Sequence, residues 1–428
     1  MENINTLPDA WHCHAGNHGG VMKKRTVTLL LFAMTLFSFV SNAAELPGSP
    51  PFEFGLYWYG HGAQKVRYDS ERASSFFDPS KPTVIFFHGW QLNSTKDGYR
   101  KVNLHLKHGD VDVYTHDNWI DRGWNFGLFH WEQWADEKNV QWAEAKIWST
   151  TGPQGMRAGF LQEDGSVIYE ELENPDWNRP VSVHAAEQII EALDGYTGKN
   201  IRFVGHSLGN QLATATAKIL FDKIASGQID EDTYKLQRLA LLDPAWTKGG
   251  KTWWPDDTDL DGNGQSDWVG ERCRWAIFDM MDRWTNAHDF VVEIYNTTPL
   301  ENELFGIAMD ANKPLRERIA GTTRVGTRYY PIWDVLNKHI VANRYYFWSM
   351  AFEPPQECLV NWKYERVSTG KMGPSAATPE WRIKEMMGRS HFWVQVEGRT
   401  SPTPGDDLFE LKTTWSDADD EAYDDLQD

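Results

Sequence analysis

The pentapeptide Gly205-His206-Ser207-Leu208-Gly209 holds a serine between two glycines at G-x-S-x-G spacing. A serine so placed is a nucleophile on a strained turn, its hydroxyl exposed, with small neighbours that let the flanking chain pack closely. The hydroxyl attacks a carbonyl only when a base takes its proton and an acid orients that base. Asp243, followed by Pro244, is the candidate acid, and His288, His339 and His391 are the candidate bases downstream. His339 lies in Leu336-Asn337-Lys338-His339, read as a loop ahead of a helical or aromatic segment. His288 and His391 each precede an apolar run, which would put them at the wrong end of a sheet.

A second pattern could hold a hard cation. Asp259-Leu260-Asp261-Gly262-Asn263-Gly264-Gln265-Ser266-Asp267 fits D-x-D-x-N-G-x-x-D, with carboxylates and an amide at alternating positions and Gly264 permitting a sharp turn. The expected ligands of a structural Ca2+ are Asp259, Asp261, Asn263, Asp267 and the backbone carbonyl of Gln265, with Asp257 as an extra donor. The closing glutamate of a full EF-hand loop is missing; Glu271 lies one place beyond it.

The elements that would position these groups alternate between strand and helix. Thr83–Phe87, Asn125–Trp131, Ile201–Val204, Leu239–Leu242 and Phe290–Ile294 are short apolar runs of the kind buried in a parallel sheet, and Asp112–Tyr114 is a weaker one. Asn210–Ile224 and Val183–Leu193 have helical spacing, with Gly195 as a stop. Asp164-Gly165 predicts a hairpin insertion over Gly159–Glu171. The fold class expected is α/β, the α/β-hydrolase fold, with a mainly parallel central sheet, helices on both faces, and the chemistry at the carboxyl ends of the strands. The order Ser, Asp, His along the chain is the order of that fold.

Residues 1–21 are read as an N-terminal extension from an early start. Residues 22–44, with a basic start, an apolar core and small residues at Ala43 and Ala44, are read as a secretory signal. Residues 45–405 form the expected catalytic domain, and 406–428 an acidic, disordered tail. The net charge of -19 argues against nucleic acid and anionic membranes as partners, and no protein partner is implied. Cys273 and Cys358 remain downstream of the signal and are expected to pair, which would contribute roughly 4–5 kcal/mol. The 22 tryptophans are mostly accounted for by core packing.

The motifs resemble, in order, those of the pancreatic-lipase-like family of secreted lipases. Phe86-Phe87-His88-Gly89-Trp90 is similar to its oxyanion loop, Val204–Gly209 to its elbow, and Leu242-Asp243-Pro244-Ala245 to its acid motif. Asp289–Ile294 resembles the strand that follows. Asn337 and His339 with Arg344-Tyr345-Tyr346 resemble its histidine loop, and Met387-Gly388 with Phe392-Trp393-Val394 the close of its catalytic domain. The likeness implies Ser207 as nucleophile, Asp243 as acid, His339 as base, and the N–H groups of Trp90 and Leu208 as the oxyanion hole. It implies an ester hydrolase that forms an acyl-enzyme, with a lipid or ester substrate and transient contact with lipid interfaces. It also implies a calcium site soon after the acid, where the Asp259–Asp267 loop falls. The family's lid, enclosed by cysteines, has no counterpart between Pro299 and Val335. Phospholipase A1, a general carboxylesterase, an esterase that deacylates polysaccharide and a catalytically inert lipid-binding relative are the alternatives.

Overall fold

The computed structural model describes residues 54–97, 102, 104–171, 175–288, 290–298, 307–308, 312–388 and 391–412. The chain divides into two units, Met1–Gly48 and Ser49–Asp428. The first unit, with the expected extension 1–21 and the signal segment 22–44, lies outside the described residues.

The second unit is built on one twelve-stranded sheet. Its strands are β1 (Gly55–Tyr59), β2 (Lys65–Arg67), β3 (Thr83–Phe87), β4 (Asn125–His130), β5 (Ile201–His206), β6 (Arg238–Leu242), β7 (Val291–Asn296), β8 (Ala320–Arg324), β9 (Gln356–Val360), β10 (Arg366–Met372), β11 (Phe392–Glu397) and β12 (Leu408–Lys412). They lie in the order β10-β9-β12-β11-β8-β7-β6-β5-β3-β4-β1-β2. From β4 through β3, β5, β6, β7 and β8 to β11 every neighbour is parallel; the antiparallel pairs are confined to the two flanks.

The central strands are apolar on both faces because helices cover both. Ile85, Phe87, Phe203, Leu239, Leu241, Val292 and Ile294 pack on one side with α1 (Val181–Ala192), α2 (Gly209–Ala225) and α3 (Val269–His288). Val84, Phe86, Val204, Ala240, Leu242, Val291 and Tyr295 pack on the other with α4 (Val335–Ser349) and α5 (Glu380–Met386). A mainly parallel sheet in this order, with the serine at a strand-to-helix turn between β5 and α2, is the α/β-hydrolase fold.

Three expectations need correction. His339 lies on α4, not in a loop before it: the Asp334 side chain accepts the Asn337 N–H at 3.3 Å and starts the helix upstream. Cys273 on α3 and Cys358 on β9 are both buried free thiols, with no bridge between them. The domain does not stop at 405, because Leu408–Lys412 pairs with both β9 and β11 inside the sheet. Residues 413–428 lie outside the described residues. The expected hairpin forms from Ala158–Leu161 and Val167–Glu170. Trp58, Trp119, Trp131, Trp134, Trp246 and Trp393 are core residues.

Candidate active site

Ser207 leaves β5 with φ +56°, in the left-handed region that a β-substituted residue enters only when its surroundings hold it there. Those surroundings are specific. The Ser207 N–H donates to Leu242 O at 3.0 Å, and its carbonyl accepts from Ala245 N–H at 3.3 Å. The buried Asn210 amide donates to both Ser207 O and Leu242 O at 2.9 Å, and its oxygen accepts the Leu242 N–H at 3.0 Å. Asn210 thus ties the elbow to the end of β6. At Gly205 and Gly209 any Cβ would overlap backbone atoms of Asn210 and Phe87 respectively, which accounts for both glycines of the motif.

Asp243 stands one residue beyond β6, buried, at φ +44°. Its N–H reaches Tyr295 O at 2.7 Å, so β7 fixes the turn. Its Oδ1 accepts the Thr298 hydroxyl at 3.0 Å and the Thr297 and Thr298 amides at 3.3 and 3.4 Å. Its Oδ2 lies 2.6 Å from His339 Nδ1. The structure therefore brings Asp243 and His339 together across 96 residues of sequence. His391 precedes β11, and His288 ends α3.

The backbone of His339 is itself held. The buried His206 ring donates from Nε2 to His339 O at 2.9 Å, with the two rings 4.6 Å apart. Burial, and the neighbouring His339, push the His206 pKa well below the usual imidazole value, so His206 is a neutral donor. The Thr297 hydroxyl donates to Lys338 O at 2.7 Å, clamping the first turn of α4 to the end of β7. Ser207 Oγ and His339 Nε2 have no hydrogen-bond partner among the described residues.

The turn after β3 lies directly against the serine. A Cβ on Gly89 would sit 2.7 Å from Ser207 Cβ and 3.1 Å from its Oγ. The main-chain N–H groups of Trp90 and Leu208 have no acceptor among the described residues. Behind this turn is a buried polar cluster that sequence reading missed. His88 Nδ1 donates to Gly89 O at 2.8 Å, its Nε2 accepts the Trp131 N–H at 3.1 Å, and its carbonyl accepts the Trp131 indole at 2.9 Å. Glu132 lies beneath, 2.7 Å from His130 Nδ1 and 3.2 Å from His88 Nε2. Burial works to raise the Glu132 pKa, but the Nδ1–H of His130 donated to it helps hold the carboxyl below its ordinary value. Burial takes His130 down to about 3. Glu132 is legible in the sequence only as one more acid after a strand; nothing local shows that it faces two histidines.

In the acidic loop, Asp259, Asp261 and Asp267 each bring one carboxylate oxygen within 4.8 Å of the others. The loop amides wrap these groups: Asn263 N–H reaches Asp259 and Asp261 at 3.0 and 3.1 Å, and Gly264 N–H reaches Asp259 at 2.7 Å. Gly262 and Gly264, at φ +69° and +82°, make the turn possible. Asp267 is fully buried; its Oδ2 meets Arg272 Nε at 2.9 Å, yet its Oδ1 has no partner. Three carboxylates brought together, one with an orphaned buried oxygen, form a donor set that a divalent cation satisfies. Asp257 caps the Asp259 N–H at 3.0 Å, and the Asn263 side chain takes the Gln265 N–H at 2.8 Å.

No protein-family model matches the chain. No curated protein matches it in sequence. Among solved structures it is similar to LpqC, a poly(3-hydroxybutyrate) depolymerase from Bordetella parapertussis (14% identity, TM-score 0.26, covering 54% of this chain and 61% of that one). It is also similar to carboxyl esterase 2 from Tuber melanosporum (11% identity, TM-score 0.27, 72% and 89%). A third is Est1E from Butyrivibrio proteoclasticus, solved with ferulic acid (14% identity, TM-score 0.22, 51% and 70%). The chain spans only about 61% of the depolymerase's length. At these scores the fold assignment rests on the sheet order and the elbow.

Proposed function

We propose that the protein is a secreted serine hydrolase of carboxylic esters, with lipid esters as its substrates, in the manner of the pancreatic-lipase-like family. The observation that carries this reading is the 2.6 Å contact between His339 and Asp243, beside a serine strained to φ +56°. Ser207 Oγ attacks the ester carbonyl while His339 Nε2 takes its proton; Asp243 holds the ring in the Nδ1–H tautomer and stabilises the imidazolium. The carbonyl oxygen becomes an oxyanion that accepts the free N–H groups of Trp90 and Leu208. His339 returns its proton to the departing alcohol, leaving an acyl-enzyme. Water, activated by the same histidine, then releases the acid and restores Ser207.

Lipid as the substrate class is supported by the apolar rim. Trp333 is 81% exposed, and Leu336, on the first turn of α4 just before His339, is also exposed. Leu92 is exposed two residues after Trp90. Solvent-facing apolar groups close in sequence to Trp90 and His339 suit an apolar acyl chain or interface. Asp259, Asp261 and Asp267 would hold a calcium ion that stiffens the chain between β6 and α3, with no part in the chemistry.

The test is a substrate panel of a short nitrophenyl ester, emulsified triacylglycerol and phosphatidylcholine, run on wild type, Ser207→Ala and His339→Ala. Each substitution should cost about 10³-fold or more in kcat. The preferred substrate separates lipase, phospholipase A1 and carboxylesterase. A fluorophosphonate probe that fails to label Ser207 in the folded protein would leave the inert lipid-binding reading. N-terminal sequencing of exported protein tests removal of residues 22–44.

A further inference from the structure

A cleft of about 600 Å³ is lined among others by Asn93, Lys96, Asp136, Lys138, Arg157 and Tyr169. This volume suits a small-molecule group. The chain around it runs straight from the serine. Gly89 touches Ser207, the Trp90 indole donates to Glu137 O at 2.7 Å, and Asn93 is part of the cleft wall. Asn93 is four positions on from Gly89, so the wall begins no more than roughly 14 Å from the residue that touches Ser207. The hairpin Ala158–Glu170 forms the opposite side.

The charge of this cleft is unlike that of the molecule. Against a whole-chain charge of -19, it presents three cations and one carboxylate. That carboxylate is already engaged: Asp136 accepts the Asn93 and Thr95 amides at 2.6 and 3.0 Å. Lys96 and Lys138 are exposed and have no ion-pair partner among the described residues. Arg157 is pinned from behind by Glu137, which takes its Nε and Nη2 at 2.9 and 2.6 Å and leaves Nη1 available. Its guanidinium rests 5.6 and 5.1 Å from the Trp142 and Tyr169 rings, so its position is fixed before any ligand arrives. One anchored arginine and two unpaired lysines around a walled space form a receptor for an oxyanion.

We propose that this cleft binds a carboxylate, sulfate or phosphate carried by the ester substrate at a distance from the scissile bond, and so selects anionic esters over neutral ones. The inference rests on the hydrolase reading given above. A phospholipid headgroup and an acidic sugar both carry the required group.

The first measurement compares the mono-4-nitrophenyl ester of sebacic acid with its methyl-capped, neutral counterpart. The free acid should have the higher kcat/KM, by about tenfold at low salt, and raising salt from about 0.05 to about 0.5 M should remove most of the difference. Lys96→Glu with Lys138→Glu should lower or invert the ratio of the two kcat/KM values. A ratio near one, or a ratio indifferent to salt and to the double substitution, overturns the proposal. Calorimetric titration of the Ser207→Ala variant with sebacate reads the cleft without turnover. Binding that is lost in the Lys96→Glu, Lys138→Glu background supports the cleft even where the esterase reading fails, and no binding refutes it. Short-chain phosphatidic acid and an acetylated uronic-acid oligosaccharide, tried as competitors, show which carrier fits.

Discussion

Adding one methyl group at Gly89 should disable the site while leaving the fold in place. Gly89 is not among the left-handed residues, so alanine meets no backbone penalty there. The cost comes from space alone. The new Cβ would lie 2.7 Å from Ser207 Cβ and 2.9 Å from His206 O, where carbon contacts ordinarily settle near 3.5–4.0 Å. Relief requires the turn and the elbow to part by roughly 1 Å, which carries the Trp90 N–H away from the oxyanion position. A displacement of about 1 Å costs on the order of 10²-fold in rate, or about 2.7 kcal/mol of transition-state binding. The overpacking itself should cost about 1–3 kcal/mol of stability. The assay is kcat/KM on a short nitrophenyl ester, with Tm and the rate of fluorophosphonate labelling measured on the same preparation. Labelling should slow along with turnover, because both form a charged oxygen in the same hole. Turnover within about threefold of wild type at an unchanged Tm would show that the Gly89–Trp90 turn does not serve Ser207.

Other substitutions probe the supports. Glu132→Ala should cost about 1–3 kcal/mol in stability, because it leaves the buried Nδ1–H of His130 without its acceptor; urea unfolding at an equal or higher midpoint would refute this. Burial raises the Asp407 pKa from 3.8 to about 7, although Tyr345 and Gln395 donate to it. The folded state then keeps a proton that the unfolded state gives up, so stability should fall as pH rises from about 4 to about 7, by roughly 4 kcal/mol in all. Asp407→Asn should flatten that slope in urea titrations at several pH values; an unchanged slope refutes the assignment. Chelation should lower the Tm of wild type and leave Asp261→Ala unaffected. At a calcium concentration about 100 times its Kd the difference should correspond to about 2.7 kcal/mol. Insensitivity of wild type to chelation, with no calcium found by elemental analysis, would end the metal reading.

The central strands were legible because Thr83–Phe87, Ile201–Val204 and Leu239–Leu242 are buried on both faces, and a short continuous apolar run suits little except a covered strand. Ser207 was marked by its G-x-S-x-G spacing, and Asp243 by its place just after a buried strand and before Pro244. His339 was harder. Its neighbours show little amphipathic contrast, and the start of α4 depends on one aspartate cap that resembles any loop acid. The C-terminal flank was hidden further. β12 hides Phe409 behind charged neighbours and precedes an acidic stretch, so its composition reads as tail. The pairing of Cys273 and Cys358 followed from an even count, and a count has no coordinates. The His88–Glu132 cluster joins the ends of two strands that are neighbours only in the sheet.

One rim of the sheet bears on how the protein behaves in a crowd of its own copies. β10 pairs with β9 along one side and has no strand on its other side among the described residues. An open edge is a template for a foreign strand, and exposed Val367, Val360 and Leu359 would reward such pairing. The segment interferes with it by its own chemistry. Gly370, at φ +72°, breaks the extended run, while Ser368 and Thr369 hydroxyls accept the Gly370 and Lys371 amides at 3.2 Å. Arg366 and Lys371 add charge to the same rim. Two amides that could have recruited a neighbouring chain are thus occupied from within. Replacing Ser368 and Thr369 with valine should therefore raise fibril formation at high concentration, read by thioflavin fluorescence, with no change in turnover.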